Sequence, residues 1–171
     1  MGKKICSCLA TVLLVILLAV AVILIIPRFF GIKQFAVLSG SMEPNIKVGS
    51  LVFDKEVGNT EIKKGDVITF KLSDKTFVTH RVDSINSDGS YVTKGDANKN
   101  VDGKVVTKKE VVGIYKFNIP YLGYVTLYGR TPLGVAAVCG ILIVIILLNF
   151  LPDALTSVEE NEENLNTEDD E

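Results

Sequence analysis

The chain has 171 residues, 48% of them hydrophobic, with 18 basic and 20 acidic side chains and a formal net charge of −2. It is too apolar for an ordinary soluble domain, which points to membrane segments plus one small folded unit. Its three cysteines, Cys6, Cys8 and Cys139, fall in or beside apolar runs. The polar middle of the chain therefore has no disulfide framework, zinc cluster or cysteine nucleophile, which excludes a sortase-like cysteine peptidase.

In chain order, residues 1–4 form a short N-terminus carrying Lys3 and Lys4. Residues 5–26 follow without charge or proline and reach about 33 Å as a helix, enough to cross a bilayer core. The run is longer than the apolar part of a cleaved signal peptide. Pro27, Arg28 and Phe29 follow it where a small-residue cleavage site would stand. It reads as an uncleaved signal anchor. Residues 134–151 are also uncharged, span about 27 Å and lack an amphipathic period, which predicts a second transmembrane helix. Residues 152–171 carry nine acidic and no basic side chains and read as a disordered acidic tail.

Between the spans, residues 27–133 hold 16 basic and 11 acidic side chains, a mild excess that an anionic membrane surface attracts weakly. Short strands are predicted at Phe35–Leu38, Ser50–Phe53, Asp66–Leu72, Thr76–Ile85, Ser90–Thr93 and Val111–Phe117. Turn signals separate them at Gly58-Asn59, Gly65-Asp66, Asp88-Gly89 and Asp102-Gly103. With no long helical period, the domain is expected to be mainly β. Lys3 and Lys4 favour a cytoplasmic N-terminus, which puts this domain on the extracytoplasmic side of the cell membrane.

The chain has a single histidine, His80, in the middle of a predicted strand. Such a residue is commonly structural, and a metal site is closed to it for lack of partners. Ser41 stands in Leu38-Ser39-Gly40-Ser41-Met42-Glu43-Pro44. This segment reads either as a turn after a strand or as a nucleophile on a sharp bend. A serine hydroxyl needs a neighbouring base, and His80 is the only imidazole available. A third group would have to orient the ring. Asp96 and Asp102, both in predicted loops, are the two candidates, and turn chemistry alone accounts for either.

These segments together resemble the type I signal peptidases. Ser39-Gly40-Ser41-Met42-Glu43-Pro44 is similar to the family's S-G-S-M-x-P nucleophile box, and Gly65-Asp66-Val67-Ile68 to its G-D-[IV]-[IV] strand. Thr79-His80-Arg81-Val82 resembles the box of the base, with histidine where most bacterial members have lysine. That is the endoplasmic-reticulum type, found also in some Gram-positive bacteria and archaea. Thr93 to Asn98 with Val101-Asp102 resembles T-K-G-D-N-N-x-x-D, and Ile119 to Gly123 a further shared segment. Two positions depart from the pattern: Gly49-Ser50 replaces glycine-aspartate, and Ala97 replaces asparagine.

The resemblance implies a small signal-peptidase/LexA-like β domain held by transmembrane helices. It implies a serine endopeptidase that cuts preproteins after small residues at an Ala-x-Ala-like site. In this reading Ser41 is the nucleophile, His80 the base, Asp102 the orienting group and Asp96 its rival or support. Ser39 and the Ser41 amide are the oxyanion donors. Signal peptides and the lipid bilayer are the implied partners, with no cofactor, metal or nucleic acid, and any membrane-complex partner unknown. The alternatives are a non-catalytic anchored β binding module and an anchored relative of the self-cleaving repressor proteases. Histidine at position 80 and the lack of a DNA-binding helix pair count against the second.

Overall fold

A computed structural model describes the backbone of residues 2–168 and the side chains of residues 4–150. The chain divides into two units, Met1–Leu24 with Thr131–Glu171, and Ile25–Arg130.

The first unit is helical. Helix α1 covers Gly2–Phe29 and α3 covers Pro132–Glu168. Within them Lys4–Phe29 and Pro132–Phe150 have the length and apolarity to cross a membrane, and both are almost wholly unburied by protein. A soluble core helix would bury such a surface; lipid is the environment that suits it. The backbone of α3 stays helical to Glu168, through most of the acidic stretch expected to be a disordered tail. Residues 169–171 lie outside the described residues.

The second unit is a six-stranded antiparallel sheet. Its strands are β1 Ile32–Ala36, β2 Leu51–Lys55, β3 Val67–Ser73, β4 Thr76–Ile85, β5 Tyr91–Lys94 and β6 Val111–Ile119. Their order is β1-β2-β6-β3-β4-β5. A short helix α2, Leu122–Tyr128, follows the last strand. In β3 the run Val67-Ile68-Thr69-Phe70 is buried throughout, as expected for a strand covered on both faces. Ile68 and Phe70 enter a cluster with Val82, Tyr91, Val106 and Ile114. Val67 enters a second cluster with Met42, Ile46 and Val52. Each such side chain contributes about 1.5–3 kcal/mol when fully buried. The second cluster anchors the segment that follows Ser41, since Met42 and Ile46 are both buried.

One buried position breaks the pattern. Asp54 in β2 is fully buried, and neither carboxylate oxygen has a hydrogen-bond partner among the described residues. Burial pushes its carboxyl up from 3.8 to about 6. The nearby Thr69 hydroxyl partly offsets this rise, but it is already shared with Thr79 at 2.7 Å.

Candidate active site

The elements that hold the predicted site residues follow from sheet register. In β4, His80 pairs across to Ile68 and Arg81 to Val67. Successive side chains on a strand point to opposite faces. His80 therefore joins the Ile68 and Phe70 face, with the Phe70 ring edge-on at 6.4 Å, while Arg81 faces the other way.

This alternation separates the two candidate carboxylates. Asp102 stands against His80, with Oδ2 2.6 Å from Nδ1. Asp96 stands against Arg81, accepting from Nε at 2.8 Å and from Nη2 at 2.7 Å. A carboxylate can only accept, so Nδ1 carries the hydrogen and Nε2 is left with its lone pair. Asp102 is itself fixed twice by Thr93. Its amide donates to the Thr93 carbonyl at 2.8 Å, and the Thr93 hydroxyl donates to Oδ2 at 2.6 Å. An imidazole oriented in this way can accept a proton from a hydroxyl brought to Nε2.

Asp96 is tied to the Ser41 side instead. It also accepts from Asn45 Nδ2 at 2.7 Å. The Arg81 guanidinium beside it holds its carboxyl below the usual aspartate range, so it stays ionised. Arg81 reaches on to the Gly65 carbonyl at 2.8 Å. The loop that carries Asp96 is stitched to the Ser41 turn, because the Ala97 amide donates to the Ser41 carbonyl at 2.9 Å. Gly95 lies so close that a Cβ there would meet the Ser41 carbonyl oxygen at 2.6 Å. Only glycine allows this approach. The sequence alone does not single out Thr93, Arg81 and Asn45 as site residues. Thr93 and Arg81 lie inside the matching boxes, whereas nothing in the sequence marks Asn45.

Ser41 sits in a 3-10 turn, Gly40–Met42, closed at its C-terminal end by the Glu43 amide, which donates to the Gly40 carbonyl at 3.0 Å. The N–H groups at the start of such a turn have no partner inside it. Ser39 occupies the cap position in extended conformation, and its side chain makes no capping hydrogen bond.

Ser41 and His80 line one cleft of about 560 Å³. One wall is Phe35 to Ser39, the end of β1 and its continuation, and the other is Lys75 to His80. Three strands separate β1 from β4 in the sheet, yet the Phe35 and Phe77 rings lie 5.2 Å apart. The sheet therefore curls until these two strands face each other. Both walls offer an unpaired edge: β1 is the terminal strand, and β5 pairs with β4 only from Arg81 onward. Among the described residues, no group of three or more His, Cys, Asp or Glu side chains is placed to hold a metal ion.

The family model described as signal peptidase, peptidase S26, matches residues 9–117, well over half of the chain. The chain belongs to the S26 signal peptidase family. Signal peptidase I W of Bacillus subtilis (strain 168) is 41% identical over 99 residues, covering 55% of this chain and 52% of that protein. The signal peptidase complex catalytic subunit SEC11C of Rattus norvegicus is 32% identical over 120 residues, covering 61% and 62%. Its Homo sapiens counterpart is 34% identical over 103 residues, covering 53% and 54%. The chain thus spans roughly half to three fifths of the length of the signal peptidases it matches. The matched region contains the cleft, the Ser41 turn, His80, Asp96 and Asp102.

Proposed function

We propose that this chain is a membrane-bound serine endopeptidase that removes signal peptides from exported preproteins, cutting after small residues at an Ala-x-Ala-like site. Ser41 Oγ attacks the scissile carbonyl while His80 Nε2 takes its proton. His80 then gives that proton to the amine as the C–N bond breaks, leaving an acyl-enzyme. Water resolves the acyl-enzyme by the same route in reverse roles. Asp102 holds the ring in the required tautomer and offsets the imidazolium charge. The Ser41 N–H and Ser39 hydroxyl donate to the oxyanion. Asp96 holds the turn through Arg81 and Asn45 and takes no part in proton transfer.

The observation that carries this reading is the 2.6 Å contact of His80 Nδ1 with Asp102, in the cleft that Ser41 also lines. The cleft suits an extended peptide, which can add main-chain hydrogen bonds to the free edges of β1 and β4. Its floor and walls include Ala36, Val37, Met42, Ile46 and Val78, an apolar lining matched to small alkyl side chains. The SEC11C relatives are named as catalytic subunits of a complex; this reading gives the chain that catalytic part.

The anchors are the segments 5–26 and 134–151, with residues 27–133 on the extracytoplasmic side and residues 1–4 in the cytoplasm. A Lys108→Cys chain in intact cells tests that side. Labelling by a membrane-impermeant maleimide is expected, and protection until the cells are broken would reverse the orientation. The chemistry is tested with purified full chain and a synthetic peptide spanning an Ala-x-Ala site. Cleavage after the second alanine, absent in Ser41→Ala, is expected. Equal cleavage by Ser41→Ala would reject the nucleophile.

A further inference from the structure

A second cavity in the sheet domain, of about 580 Å³, adjoins the Ser41 cleft at Phe35 and Phe77 but is lined by neither Ser41 nor His80; its lining includes Arg28, Lys33 and Arg130. Arg28 is in the last turn of α1, and Arg130 is separated only by Thr131 from the start of α3. Both arginines therefore sit in sequence at the ends of the two apolar segments able to cross a membrane. Three cations thus face one cavity where the chain enters and leaves the apolar phase.

Their donors are largely uncommitted. Lys33 pairs with Glu56, also in the lining, at 3.0 Å, and the two charges cancel. Arg28 gives Nε to Gln34 at 3.4 Å, which leaves four of its N–H groups. Arg130 has no hydrogen bond or ion pair among the described residues. Two guanidinium groups therefore remain to attract an anion, and a guanidinium fork matches a phosphate in charge and geometry. Beside them Phe29 and Phe30 are 82% and 75% exposed, a large apolar surface suited to the boundary between headgroups and acyl chains.

We propose that this cavity is a binding site for the phosphate of an anionic phospholipid headgroup, clamped by Arg28 and Arg130. The net positive lining favours phosphatidylglycerol over phosphatidylcholine, whose choline brings a compensating cation. The lipid is favoured over a soluble phosphate because the two arginines adjoin membrane-spanning segments and because the exposed Phe29 and Phe30 directly follow Arg28 in the chain. The inference does not rest on the peptidase reading, since neither Ser41 nor His80 is involved.

The test uses the full chain in phosphatidylcholine nanodiscs doped with a photoactivatable phosphatidylglycerol, with crosslinks mapped by peptide mass spectrometry. Labelling is expected on the segments around Arg28 to Phe35 and Arg130. Arg28→Gln with Arg130→Gln should reduce it on the order of twentyfold at low salt, and Arg130→Gln alone about fivefold. Lys108→Gln with Lys109→Gln, two exposed cations outside the cavity, should leave it unchanged. Should the double variant not fold, Arg130→Gln decides alone, because Arg130 bonds nothing. Unchanged labelling in the arginine variants would overturn the site. Equal labelling from photoactivatable phosphatidylcholine, or complete displacement by excess inorganic phosphate, would overturn the anionic-lipid assignment.

Discussion

The Gly123 amide donates to the Gly49 carbonyl at 2.9 Å, joining the start of α2 to the segment just after the Ser41 turn. Gly49 and Ser50 in turn bond Val37, in the cleft wall, through the Gly49 amide and the Ser50 carbonyl, each at 2.9 Å. A Cβ on Gly123 would stand 2.4 Å from the Ser50 carbonyl oxygen. Backbone cannot yield as a flexible side chain can, so overpacking here costs about 1–3 kcal/mol. Gly123→Ala should lower the melting temperature of the full chain in micelles. Gly103→Ala, with nothing within 4 Å of the new methyl, should not. Equal melting of the two variants would refute the contact.

Asp102 and Asp96 should separate by the kind of damage their loss causes. Asp102→Asn keeps the shape but offers an amide hydrogen to Nδ1, which favours the wrong tautomer. Turnover should fall by about 10³-fold or more, with little change in melting. Asp96→Asn loses the charged contact with half-exposed Arg81. Discounted for solvent screening, that is about 1 kcal/mol of stability. Turnover measured well below melting should fall far less than in Asp102→Asn. The reverse ranking in a peptide-cleavage assay would exchange their roles.

Two buried or half-buried aspartates should give stability opposite pH dependences. Asp96 is held below its ordinary range by Arg81. Its contribution is present above the unfolded value and is lost as pH falls through the depressed one. Asp54 is raised from 3.8 to about 6, so the folded state binds its proton more tightly than the unfolded state. Stability from this group falls as pH rises from about 4 to about 6 and stays lost above that. Asp54→Asn should therefore stabilise the protein by about 2–3 kcal/mol at pH 7.5 and by nearly nothing at pH 4. Denaturant melts at the two pH values would decide, and an equal effect at both would remove the burial argument.

Much of the sheet was legible because its strands are rich in β-branched residues and bounded by turn residues. Thr76–Ile85 was predicted with the observed limits. The apolar run predicts the first strand at Phe35–Leu38, whereas the strand runs over Ile32–Ala36, starting at the Gly31 turn and leaving Leu38 exposed. Helix α2 went unread, because seven residues are too few to display a helical period. The site's residue types were visible, but the choice between Asp96 and Asp102 was not. That choice depends on His80 and Arg81 pointing to opposite faces of β4, which requires the register with β3. The orphan carboxylate of Asp54 is equally hidden, since it follows the apolar run Leu51-Val52-Phe53 and nothing in the sequence shows that the strand's burial continues through it.

The most direct test of the account is co-expression of a preprotein carrying an Ala-x-Ala site with the wild-type chain, Ser41→Ala or His80→Ala, at equal protein levels, with the mature N-terminus determined. The account predicts a new N-terminus immediately after the second alanine with wild type and uncut preprotein with both variants. Cleavage by Ser41→Ala at the wild-type rate would contradict it.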